Sequence, residues 1–194
     1  AVKKHGFLAL PINHSLTDNI NGITRKDMRA LYSLLSGNDP GFDPVYYGGE
    51  VFAATPSVVR RINAMMPHIW QIMMERHQTG EPKFNEEAHF LSYCYEQIGG
   101  FGSFEPFTRR IWTSTRFNDV QASDLHLPIW HLPSEKTGGI AILFRWLRKG
   151  KALPADLKVL GGILSIPKRT MYLNLKHFIK YTPLYRLWLR ISGT

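Results

Sequence analysis

The chain has 194 residues, 44% of them hydrophobic, with 12 prolines and 16 glycines, enough to bury the core of one ordinary globular domain with an appendage. It contains no run of about 18 or more apolar residues and no basic-then-apolar leader, which argues against a spanning helix and a signal peptide, and its lone Cys94 allows neither an internal disulfide nor a zinc cluster, so a cytoplasmic setting is expected. The net charge of +9 is unevenly placed: residues 140–194 hold 11 Lys and Arg against Asp156 alone, whereas residues 1–139 hold 13 basic and 14 acidic side chains.

In chain order, Phe7-Leu8-Ala9-Leu10-Pro11-Ile12 is expected as a short buried strand stopped by proline. Thr24 is placed as a helix N-cap with Asp27 three residues on, the helix turning Met28, Leu31, Tyr32 and Leu35 inward and stopping at Gly37. A loop from Asn38 to Pro44 leads to Tyr46-Tyr47-Gly48-Gly49-Glu50. Val51-Phe52-Ala53-Ala54, apolar and bounded by punctuating residues, is expected as a central strand. Thr55-Pro56 opens a helix in which Val58, Val59, Ile62, Met65, Met66, Ile69, Ile72 and Met73 recur at helical spacing as core, with a kink at Pro67 and an end at Gly80. Asn85 is expected to cap the next helix, which carries Ala88, Leu91 and Tyr95 inward and ends before Gly99-Gly100. Arg110 to Thr115 and Ile129 to Leu132 are expected as short strands joined by a polar loop. Strands alternating with helices predict an α/β sandwich, with room for antiparallel members, over residues 1–139.

Three groups of residues carry candidate chemistry. Gly48-Gly49 either makes a tight turn or lets a ligand approach the backbone closely, and Glu50 beside it either faces water or lines a cleft at the strand's end. Glu86 and Glu87 complement the positive end of a helix macrodipole, yet with His89 they also form a group able to hold sugar hydroxyls or steady a developing cation. Trp130-His131 lies in a Pro-containing turn with Lys136, where a His and a Lys could bind a diphosphate, or the His a metal beside one. Neither standard glycine-rich phosphate loop is present.

The order of these features resembles the second half of a GT-A glycosyltransferase, most nearly family 6, the retaining enzymes that include the blood-group A and B transferases. That family has a strand of the form YYLGGFFGGS, then a helix, then an HDESHLN segment; here YYGGEVFAAT and NEEAHFLSY stand at nearly that spacing. The resemblance implies that Gly48 and Glu50 tune sugar recognition, that Glu87 is the nucleophile or cation stabiliser on the sugar's β face, and that Glu86 holds donor hydroxyls; Gly49 and His89 are expected beside them at the substrate. WHLPSEK more weakly resembles the HxxGxxKP signature of family 8, which implies His131 on a divalent metal such as Mn or Mg and Lys136 on the diphosphate; Trp130 beside them is expected at the substrate. No Asp-x-Asp is present, and few residues precede Tyr46. The expected fold is therefore α/β, a GT-A-like mixed sheet flanked by helices that either lacks a complete N-terminal nucleotide-binding half or uses another arrangement, with a basic helical tail over 140–194. Glu50 replaces a glycine of the family, which leaves the sugar open.

The implied function is retaining transfer of a hexose from a nucleotide-sugar, UDP-linked, to a glycan or lipid-linked glycan acceptor, as in bacterial polysaccharide biosynthesis. In the tail, Arg145, Arg148, Lys149, Lys151, Lys168, Arg169, Lys176, Lys180, Arg186 and Arg190 alternate with aromatic and aliphatic residues. That pattern suits either an anionic membrane surface, placing the chain peripherally at the inner face, or a helical pair with a solvated basic face. A non-catalytic binding module whose basic tail contacts anionic membrane or nucleic acid is the alternative.

Overall fold

Phe7, Leu8 and Ala9 are all buried, and the strand they form, β1 (Phe7–Ala9), is the centre of the largest sheet among the described residues. The structure, a computed structural model, describes residues 1–49, 51–114, 117–136 and 138–166. It is a mixed α/β protein that divides into two compact units, Ala1–Pro106 and Phe107–Thr194.

In the first unit a one-turn helix, α1 (Val2–His5), leads into β1, and the chain crosses at Leu10 into a second sheet as β2 (Pro11–Ile12). Proline therefore opens a strand here instead of stopping one, at a position where its missing N–H costs no ladder bond. Helix α2 (Arg25–Ser36) starts as expected: Thr24 and Asp27 form a reciprocal capping box, and Gly37 closes the end with φ 76°. β3 (Tyr46–Tyr47) runs antiparallel to β2, and β4 (Ala53–Ala54) antiparallel to β1. The segment expected as a central strand is thus a two-residue edge strand, with Phe52 turned to solvent; the fully apolar β1 takes the centre. Helix α3 (Pro56–Thr79) buries Val58, Ile62, Ile69 and Met73 and continues through Pro67, which is exposed. Helix α4 (Glu87–Ile98) follows, then β5 (Gly102–Ser103), parallel to β1.

Helix α4 is locked to β3 by side chains. The Tyr47 amide donates to Ser92 Oγ at 2.9 Å and the Tyr47 hydroxyl to Glu96 Oε1 at 3.0 Å. Around that seam Phe7, Tyr47, Tyr95 and Phe101 touch ring to ring at centroid separations of 4.9 to 6.4 Å, the range in which aromatic pairs add to their area burial. Such strands contribute few ladder bonds, so helices and rings supply most of the buried apolar surface.

In the second unit β6 (Thr108–Arg110) pairs parallel with β7 (Ile129–His131), so the first strand ends where it was expected to begin. The connection between them contains a short 3₁₀ turn over Ala122–His126. Arg109 pins that turn, giving Nε and Nη2 to Asp124 at 2.6 and 2.7 Å and Nη1 to Asp119 at 3.1 Å. A second 3₁₀ turn, Pro133–Glu135, precedes helices α5 (Gly139–Arg148) and α6 (Leu157–Ile163), and the core here is Ile111, Leu132, Leu164 and Ile166. The break between units falls well before residue 139 because Gly139 is built into this core. Its amide donates to the buried Glu135 at 2.8 Å, and a Cβ on it would lie 2.2 Å from the Ile163 carbonyl oxygen. The tail expected over 140–194 is described through α5 and α6; its cations from Lys168 to Arg190 lie outside the described residues.

Candidate functional site

β3 delivers the glycine pair directly against the start of α4. Gly48 extends the pairing, its amide donating to the Leu10 carbonyl at 2.9 Å. Gly49 does not adopt a left-handed φ; its lack of a Cβ serves close approach, since that atom would sit 3.1 Å from Glu87 Oε1 and 3.5 Å from Ala88 Cβ. Glu50 lies outside the described residues.

The two carboxylates stand in different circumstances. Glu86, not Asn85, is the N-cap residue of α4, and its side chain makes no capping bond. Its carboxylate instead accepts from the Tyr46 hydroxyl at 2.7 Å and from the Asn21 amide, and lies 3.6 Å from His89 Nε2. Asn85, displaced one position outward, donates its side-chain amide to the Asn21 carbonyl at 3.0 Å. Glu87 is exposed and has no hydrogen bond among the described residues.

His89 is fully buried and does not line the cleft beside this helix start. Its Nδ1 accepts from the Asn85 amide at 3.3 Å, which assigns the proton of the neutral ring to Nε2, on the side of Glu86. The Phe84 ring stacks on it at 6.2 Å and Tyr46 meets it edge-on at 5.7 Å. Burial pushes its pKa below the ordinary value, with Glu86, the Ile20 backbone and Glu87 acting in the opposite direction.

The same helix start borders a cleft of about 300 Å³. One wall is Met66, Ile69, Trp70 and Met73 of α3; the other is Phe84, Asn85, Glu86, Glu87 and Phe90. Trp70 is 63% exposed there. An apolar, aromatic lining with two carboxylates is the composition of a small-molecule site, in which a few polar groups set orientation. Spacing in the sequence points to Glu86 and Glu87 but not to Trp70, Phe84 or Phe90. Trp70 falls just off the buried stripe of α3, and only the fold shows that its side of the helix borders a hollow.

In the second unit, register places Arg110 opposite His131. Burial, then the charges of Arg110 and Lys136, hold the His131 pKa below its usual value. Two cations beside a half-buried ring favour an anion and do not fit a divalent metal ion. Among the described residues no group of three or more His, Cys, Asp or Glu could hold one. Lys136 is exposed, whereas Trp130 packs against the core of this unit with its indole nitrogen buried. No family model, no curated protein and no solved structure matches the chain.

Proposed function

We propose that the chain handles a sugar in the α3–α4 cleft and transfers a hexose, with retention, from a nucleotide-sugar to a glycan or lipid-linked glycan, on a fold of GT-A type. The observation that carries this reading is Glu87. It is an unengaged carboxylate at the rim of an aromatic cleft, with a glycine at 49 keeping its flank clear. In the step proposed, the bond from the anomeric carbon to the diphosphate oxygen breaks and that oxygen leaves with the electron pair. The acceptor hydroxyl oxygen forms the new glycosidic bond and gives its proton to the departing diphosphate oxygen. Glu87 steadies, by its negative charge, the positive charge that develops at the anomeric carbon. Trp70, Phe84 and Phe90 offer faces to the apolar side of a sugar ring, and Glu86, held by Tyr46 and Asn21, is a fixed acceptor for a hydroxyl.

The test is release of nucleoside diphosphate from a panel of UDP-hexoses, with and without glycan acceptors. Glu87→Gln keeps the shape and removes the charge, so turnover is expected to fall by about a hundredfold or more, while sugar binding in the cleft survives. Full activity in Glu87→Gln sinks the reading. Exposure of Trp70 also suits a module that binds glycans without chemistry, and calorimetric binding with no turnover by the unaltered chain would favour that module.

A further inference from the structure

We infer that α5 and α6 dock on the surface of an anionic bilayer. This rests on the second unit alone and is independent of the sugar reading. Helix α5 is apolar over most of its circumference, yet only Gly139 is fully buried within it. At about 100° per residue, Ile140, Phe144 and Leu147 share a strip about 60° wide, between the side that carries Leu143 to the core and the side that carries Arg145 and Arg148. Those three residues are 42%, 59% and 52% exposed. Leu157 and Val159 of α6 and Leu153 between the helices are exposed as well.

Charge identifies the occupant. Arg145 and Arg148 edge the α5 strip on one side, and Lys149, Lys151 and Lys158 follow close in sequence, with Asp156 the one carboxylate between Gly139 and Ile166. Exposed aliphatic and aromatic side chains edged by cations match the boundary between acyl chains and anionic headgroups, where the former enter the bilayer and the latter meet lipid phosphates. A nucleic-acid strand would use the cations but leave the aliphatic side chains without a partner. Helix α5, at about 15 Å, is suited to lie along the surface, and no helix among the described residues is long and apolar enough to cross a membrane.

The experiment is flotation of the full chain with vesicles of phosphatidylcholine alone or mixed with phosphatidylglycerol, at low and high salt. A Phe144→Cys variant carries an environment-sensitive dye; Cys94, fully buried, is not labelled. The expected result is binding only to the phosphatidylglycerol vesicles, lost at high salt, with a blue shift of the dye. Arg145→Gln and Arg148→Gln should each weaken partitioning about fivefold. Phe144→Ser with Leu147→Ser, both at exposed positions, should weaken it with an unchanged far-ultraviolet spectrum. The inference is overturned by absence of vesicle binding, by equal binding of the Ser variant and the parent, or by tighter binding to a single-stranded oligonucleotide. A dye at 144 already shielded without vesicles also overturns it, because residues 167–194 or a second copy would then cover the strip.

Discussion

Glu86 and Glu87 are neighbours in sequence and opposites in use. The sequence pattern finds the pair, but it cannot divide the roles, because the groups that engage Glu86 come from 40 residues away at Tyr46 and 65 at Asn21. His89 was legible as a companion of Glu86 one turn away, yet its complete burial depends on Phe84 and Tyr46 closing over the ring. That burial has a consequence for pH. The folded state lowers the pKa of His89, so above the ordinary value of 6.5 the ring is neutral in both states and costs nothing. As pH falls below 6.5 the unfolded chain takes up the proton first, and stability declines through the folded pKa. The decline should approach about 1.4 kcal/mol per pH unit over that window. In His89→Asn, which keeps an acceptor for the Asn85 amide, denaturant melts should show lower stability at neutral pH but no such acid slope. A variant with the parent's slope would assign it to other groups.

Elements whose signals are local were readable, and those made by distant partners were not. The capping box at Thr24, the C-terminal Gly37 and the buried stripe of α2 depend on residues each within four positions of the next. Two-residue strands carry too few side chains for an alternation to show, so β3 and β4 exist only because β2 and β1 lie beside them. The same limit explains β6, which ends at Arg110, because its length is set by pairing with β7. Thr24 offers a clean check on the local half of this distinction. Its hydroxyl accepts from the Asp27 amide at 3.2 Å, while Asp27 Oδ2 accepts from the Thr24 amide at 2.7 Å. Thr24→Ala removes the first bond and should cost about 1 kcal/mol of stability, measured by urea denaturation. A change within error would mean that packing of Met28 and Leu31 alone holds the helix start.

At the scale of the molecule, α4 is built into the core of the first unit, and Cys94 is one of its six buried residues. Its side chain is fully buried, and burial pushes its thiol up to about 12, from an ordinary value of 9.0. Only the thiolate attacks a disulfide reagent, so at mildly alkaline pH the folded chain presents almost none and the opened chain presents a reactive fraction. As the only cysteine in the sequence, it reports opening of the first unit without interference. Labelling should therefore be slow in the native protein, rapid and complete in denaturant, and governed in between by the population of the open state. Coupling this to the helix cap makes the expectation quantitative: if Thr24→Ala raises the open population by the factor that about 1 kcal/mol implies, native-state labelling should quicken about fivefold. Rapid stoichiometric labelling of the untreated chain would show instead that the thiol is accessible and that α4 does not pack as described.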